Sequence, residues 1–522
     1  MNALQSRRNF LANVGKGTIA ATIGTGLAVE LGLAPAASAA EGTDALVFGE
    51  MESLVCFMQE TPVAKLQAAL TAKLKEGVPL KKMVAAAVLA NARTFGGEDY
   101  VGFHTLMALG PALSMSGTLP EKEQALPVFK VLYRNTSRIQ EKGGRKDEVL
   151  HPVSPLAGVD PATITPAQLL EAVKQQDEAR AEGLLASLVG KNPEDAFDAL
   201  LYCVQENPEV HRTVLPYRAW DLIDLVGRAN AETMLRQSLH YCLKSESYRR
   251  AEWSEHGKML AALLDEHKLL GRDPGTRSAD DAFVEQLSKA IFEGTPSQAA
   301  GAVAQALAEG FDPLSVGEAL SLAVNQLVLR DLGRPPAWEA PGKPAGSVHG
   351  DSVGVHASDS IHAWRNMAGL AHGRNTYACL ILGAWQAARD KGGSADRNFT
   401  KWEPLPLKYH LGAVGAKDQA GLLRNLDEAV RQNLQGRASA VVHQYGQLGL
   451  PADPVFQALL RFAVSEDGAL HAEKYYQTVW DEFHRTRPTF RWRHLVALAR
   501  VTASEYGRPA PGQAEARQLL GV

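Results

Sequence analysis

Between Gly346 and Met367 the chain reads GSVHGDSVGVHASDSIHAWRNM, which sets His349, His356 and His362 within fourteen residues. No other segment is as dense in side chains of ligand type. Imidazole is the commonest protein ligand for mid-to-late first-row metals and needs only a free nitrogen lone pair to bind. The segment therefore points to metal chemistry. Histidines that cap a helix or bond to backbone carbonyls in a core are the competing use of the same residues. Six positions along a straight helix differ by about 120° in direction and roughly 9 Å in rise, so His356 and His362 do not share a face. Joint ligation requires His356 in the first turn or the preceding loop, with His362 inside the helix, or a break near Ser358. Asp359, three residues from each, is placed to orient an imidazole or to cap the helix.

The elements that must position these residues read as helices, because apolar residues recur at three-to-four spacing and alternating runs of strand type are few. Four times a helix broken by Gly or Pro is followed by a second helix, a turn and a histidine. His104 lies at or near the start of the helix beginning FHTLMALG, and His211 just ahead of VLPYRAW. His356 and His362 close the third cycle, and His471 in GALHAEKYY closes the fourth. The clearest internal match is Lys75-Glu-Gly-Val-Pro-Leu80 against Ala308-Glu-Gly-Phe-Asp-Pro-Leu314. The expected fold is all-α and multi-helical, with roughly four repeated lobes around a central His-rich site. The expected divisions are a helical region from 40 to 332, a Pro/Gly-rich linker from 333 to 346 and a second helical region from 347 to 522. The polar stretch from Glu141 to Val159 reads as a further linker or long loop. A buried imidazole without a partner costs about 1–3 kcal/mol, so histidines converging on an axis require a hydrogen-bond network or an ion.

The first 39 residues read as an address. Ser6-Arg7-Arg8-Asn9-Phe10-Leu11 has the form of a twin-arginine signal, a mildly apolar run follows, and Ala37-Ser38-Ala39 offers a cleavage site. The expected location is periplasmic or exported, with the twin-arginine machinery as partner and no stable membrane span in the mature form. That route exports folded proteins, often with a cofactor already inserted. A formal net charge of −4 gives no basic footprint for nucleic acid. The four cysteines are scattered and none forms a C-x-x-C pair, and C-x-x-C-H attachment of haem is excluded. Cys203 and Cys379 sit in apolar helical runs and read as small buried hydrophobes.

Four of these motifs resemble the questin-oxidase-like proteins, whose members include non-haem iron oxygenases that cleave anthraquinone-type rings. HTLMALGPA from His104 and HRTVLPYRA from His211 are similar to that family's first two His-bearing helices. His356-Ala-Ser-Asp-Ser-Ile-His362-Ala-Trp-Arg is similar to its H-x5-H element, and His471-Ala-Glu-Lys474 to its late H-x-x-K. The resemblance implies Fe(II) held by His104, His211, His356 and His362, with a carboxylated Lys474 as an oxygen donor. It also implies dioxygen and a small, aromatic-sized molecule as reactants.

Each residue has a plainer reading. Lys474 beside Tyr475 and Tyr476 on an amphipathic helix reads equally as a snorkelling surface lysine. His240, His372 and His443 read as structural helical residues, and the roles of His349 and His471 stay open. Trp220, Trp338, Trp364 and Trp385 could line a pocket or simply fill a core. Gly350-Asp-Ser352-Val-Gly354 fits a nucleophile elbow, which needs a strand before the serine. Three functions follow: an exported metal-dependent oxygenase, a non-catalytic metal-binding or helical-repeat interaction protein, and a serine hydrolase using Ser352.

Overall fold

Helix termination obeys the same chemistry at the two places where the sequence matches itself. The helix Val63–Lys75 ends at Glu76; Gly77 then takes φ +90°, and the Val78 N–H returns to the Lys73 carbonyl at 3.0 Å. The helix Pro296–Ala308 ends at Glu309, Gly310 takes φ +86°, and the Phe311 N–H returns to the Ala306 carbonyl at 3.2 Å. Both are left-handed caps that only glycine enters without strain. Each is followed by a new helix, Leu80–Phe95 in one case and Pro313–Arg330 in the other.

The computed structural model describes residues 45–248, 253–350, 352–392 and 399–522. The expected signal at 1–39 and Asp351 lie outside the described residues. Among them the fold is all-α: helices joined by turns and 3-10 segments, with isolated bridges and no sheet. No described helix is long and apolar enough to cross a membrane.

Two compact units interleave along the sequence. The first comprises residues to Pro155, Ala219–Tyr241 and Pro511–Val522; the second comprises Leu156–Arg218 and Cys242–Ala510. The chain thus passes between units inside the polar stretch 141–159. The Pro/Gly-rich segment 333–346 runs within the second unit, where it is closed on itself. The Arg334 N–H donates to the Ser347 carbonyl at 2.9 Å and the Gly346 N–H to the Arg334 carbonyl at 2.8 Å.

Seven helices bear on the site: α1 (Tyr100–Ser116), α2 (Val210–Asp221), α3 (Pro313–Arg330), α4 (Val353–Leu370), α5 (Arg374–Lys391), α6 (His471–Arg485) and α7 (Trp492–Glu505). In the first unit, α1 packs on Leu80–Phe95 and Ala125–Glu141. In the second, α3, α4 and α5 pack on one another while α6 lies against α4 and α7. Gly354 makes the α3–α4 approach possible, since a Cβ there would stand 2.7 Å from the Val328 backbone. That contact fixes the start of α4, which carries His356.

Candidate metal centre

His356 sits in the first turn of α4, whose N-cap is Ser352. His471 opens α6. Their Nε2 atoms are 3.0 Å apart, and the edge of His211, from the first turn of α2, meets His356 with ring centroids 5.6 Å apart at 78°. Three imidazoles from three helices of the second unit therefore converge.

The partners of the other ring nitrogens decide what these imidazoles can do. His471 Nδ1 is 2.9 Å from the Ala469 carbonyl. A carbonyl only accepts, so Nδ1 carries the proton and the Nε2 lone pair faces His356. His211 Nδ1 lies 3.5 Å from the Glu209 carboxylate, which also accepts the His211 backbone N–H. A carbonyl or carboxylate behind the remote nitrogen is the usual support of a metal-binding imidazole. The 3.0 Å separation is that of two ligands about 2.1 Å from a first-row ion and roughly 90° apart. Without an ion it is an N–H···N hydrogen bond from His356 to His471. The donor set fits a divalent first-row metal.

The backbone ahead of His471 is held in an uncommon shape. Gly468, Ala469 and Leu470 have φ of +51°, +49° and +66° in succession. A non-glycine residue there costs on the order of 1–2 kcal/mol, and such strain gathers at functional sites. Flanking contacts impose it. The Arg508 N–H donates to Glu466, the Asp467 N–H to the Arg508 carbonyl, and a Cβ on Gly468 would lie 2.6 Å from that of Ala472. The result is that Ala469 points its carbonyl at the His471 ring.

His362, two turns into α4, faces elsewhere, as the helical geometry requires. Its Nδ1 donates to Glu482 at 2.9 Å and its Nε2 lies 3.4 Å from Asp481. Burial alone would depress its pKa, but the two carboxylates raise it above the ordinary histidine value. Glu482 is buried too, which by itself would raise its pKa; Arg365 and His362 together hold it well below the usual carboxylate range. Ser321 donates to the same carboxylate at 2.6 Å. A cavity of about 10 Å³ beside Glu482, bordered by Asn325, Ser358, Thr478 and His494, has room for one water.

Lys474 is buried in α6, only 2% exposed, and is not a snorkelling surface residue. Burial pushes its pKa down to about 8, against the attraction of Asp359 and Glu473 and together with the repulsion of Arg218. Thr478, one turn on, donates to Asp359 at 2.9 Å and accepts from Arg218 at 3.5 Å.

His104 belongs to the first unit. It sits in α1 behind the Asp99 cap, its Nδ1 donating to the Tyr100 carbonyl at 2.6 Å. Ser352 is a helix cap: its hydroxyl donates to the Val348 carbonyl at 3.0 Å and accepts from the Val355 N–H at 3.3 Å, and no strand precedes it among the described residues. His349 pins the closed loop through Ser504 and the Gly342 carbonyl. His372 lies exposed between helices rather than in one, beside Asp198 at 3.0 Å. Trp364 is core, donating to Gln386 at 2.7 Å, while Trp338 is exposed. All four cysteines are free and buried.

Sequence reasoning missed Glu209, the left-handed run at 468–470, Arg218 and the Asp481-Glu482 pair. An acidic residue two positions before His211 was the available sign for the first. Adjacent acids on a helix with an otherwise buried face were the sign for the last. No family model, no curated protein and no solved structure matches the chain.

Proposed function

We propose that His211, His356 and His471 hold a single transition-metal ion in the second unit, and that the protein is a metal-dependent oxidoreductase of the non-haem iron oxygenase type. The observation that carries this is the His356–His471 pair, whose lone-pair geometry is fixed from behind by the strained Ala469 carbonyl. A core that needed only a hydrogen bond there would not require three successive left-handed residues to aim it. Three neutral imidazoles leave the charge of a divalent ion largely uncompensated and its remaining positions open to small molecules, which favours catalysis over a closed structural site.

The choice of iron, of dioxygen and of an aromatic-sized reactant rests on the motif resemblance. That resemblance also offers a carboxylated Lys474 as an anionic donor and His104 as a further ligand. A bound Fe(II) would supply one-electron chemistry toward dioxygen. The protein's part is to hold the three rings in one tautomeric arrangement and to keep Glu482 ionised against His362. The twin-arginine pattern at Ser6–Leu11 fits export of a chain that has already folded around its metal.

Elemental analysis of protein purified without chelator tests the reading. About one metal ion per chain is expected in the wild type and in Ser352→Ala, with loss in His356→Ala and His471→Ala. Equal metal content in all four proteins would overturn it. A metal-loaded protein that consumes no oxygen with any aromatic substrate would return the non-catalytic metal-binding reading.

A further inference from the structure

Among the described residues, Lys474 and Arg218 of the second unit are buried cations with no counter-charge in contact. Lys474 is 2% and Arg218 3% exposed. Among the described residues no carboxylate oxygen lies within 4.0 Å of the charged nitrogens of either. The polar contact of Arg218 is the Thr478 hydroxyl at 3.5 Å, and its Nε is buried without a partner. Asp359 and Glu473 act on Lys474 through space, and Asp359 already accepts from Thr478. Asp481 acts on Arg218 through space as well. A buried charge without a contacting counter-ion costs several kcal/mol, and a guanidinium whose Nε lacks a partner can take a carboxylate in two parallel hydrogen bonds.

Helical periodicity places this pair relative to the histidines. Arg218 follows His211 by seven residues in α2, and Thr478 follows His471 by seven in α6. Seven residues are nearly two full turns, so each pair shares a face with about 10 Å of rise between its members. His211 and His471 both converge on His356, and Arg218 touches Thr478. The two helices therefore carry a histidine level and a cation level in matching order, with Lys474 about one turn from His471 between them. A molecule about one aromatic ring long spans the two levels.

We propose that Lys474 and Arg218 form the receptor for the carboxylate of an aromatic acid whose ring then lies toward the three-histidine centre. The inference rests on the metal reading for its functional meaning, but carboxylate binding itself requires only the two cations. It assigns the Lys474 nitrogen to an incoming carboxylate rather than to a carbamate, so the two roles of this lysine exclude each other.

The test is calorimetric titration of the full chain, metal-loaded and chelator-treated, with benzoate and with its uncharged isostere benzamide. Benzoate is expected to bind both forms and benzamide neither, and Arg218→Gln should weaken benzoate by at least about tenfold, the loss of one charge-assisted hydrogen bond. Lys474→Met, which removes charge without shortening the side chain, should do the same while retaining metal. Arg218-dependent binding by a protein that carries no metal as purified and takes none up on loading would sink the metal reading and leave this one standing. Binding confined to the metal-loaded form and unaltered in Arg218→Gln would place the carboxylate on the ion and overturn the inference. A carbamate carbon resonance from wild-type protein in labelled bicarbonate, absent in Lys474→Met, would overturn it as well.

Discussion

Replacing Lys474 by methionine should make the protein more stable, although it removes a charged group from the centre of a helix bundle. Burial holds the folded-state pKa at about 8 where the ordinary value is 10.5. A pKa difference of one between the folded and unfolded chain corresponds to about 1.36 kcal/mol, so keeping this ammonium charged in the core costs roughly 3 kcal/mol at pH 7. That cost already includes the attraction of Asp359, because the pKa falls to about 8 with Asp359 in place. Methionine has the length and volume of neutral lysine and carries no such cost. The sign with pH follows from linkage: a lysine depressed in the fold costs its full amount below about pH 8, and the cost fades as pH rises toward 10.5. Thermal or urea unfolding of wild type and Lys474→Met across pH 7 to 10.5 should therefore show a gain of roughly 3 kcal/mol at the acid end that vanishes at the alkaline end. A variant less stable than wild type at neutral pH, or a gain indifferent to pH, would refute the reasoning and recast Lys474 as a structural partner of Asp359. A residue kept charged against such a cost is a functional candidate on physical grounds.

Other perturbations separate the structural from the functional polar groups. Glu482→Ala leaves Arg365 and His362 buried without their carboxylate and should cost about 3–5 kcal/mol of stability, read by denaturant unfolding. Burial holds His349 and His494 each at about 4, so the folded chain binds fewer protons than the unfolded one between pH 6.5 and 4. Stability should fall on acidification through that window by about 1.4 kcal/mol per pH unit per ring, and His494→Gln should flatten the slope measurably. His362 acts oppositely: its raised pKa adds stability below pH 6.5 that is lost as pH climbs through the folded value. Ala469→Gly removes a left-handed alanine and should be neutral or stabilising by up to about 1 kcal/mol, against the usual loss of about that size for such a change inside a helix. Gly468→Ala, at φ +51° and 2.6 Å from Ala472, should destabilise the fold and, on the proposed metal reading, lower metal content together.

The all-α class was legible because apolar spacing and Gly/Pro punctuation speak directly to helix formation. The match around Gly77 and Gly310 was legible down to the cap, since a left-handed turn after a helix leaves glycine as its trace. The angular separation of His356 and His362 was also readable, and the structure sends them to different partners accordingly. What could not be read was that His471 meets His356. His471 joins His356 through a left-handed run containing Ala469 and Leu470, residues whose identities advertise no turn at all. The division into units was equally hidden: the second unit closes around segments far apart in the chain, and nothing local marks Arg218 as the end of one of them.

The helix α6 shows most clearly why the site escaped a reading by pattern. His471, Lys474, Thr478, Asp481 and Glu482 follow one another at spacings of three, four, three and one, the stripe that apolar residues occupy in an ordinary core helix. The opposite stripe, with Tyr475, Tyr476, Val479 and Phe483, is apolar and buried. By pattern alone such a helix lies on a surface, with its charged face in water. Here the charged face is turned inward as well: His471, Lys474, Thr478 and Glu482 are each no more than 3% exposed. Every group on that face must then find its partner inside the protein, and most do. Glu482 has Arg365, Ser321 and His362, Thr478 has Asp359, and His471 has Ala469 and His356. Among the described residues, Lys474 has only charges acting at a distance. On that inward polar face the group left without a contacting partner among the described residues is Lys474, and Arg218, which reaches the same face through Thr478, is the neighbouring cation in the same position.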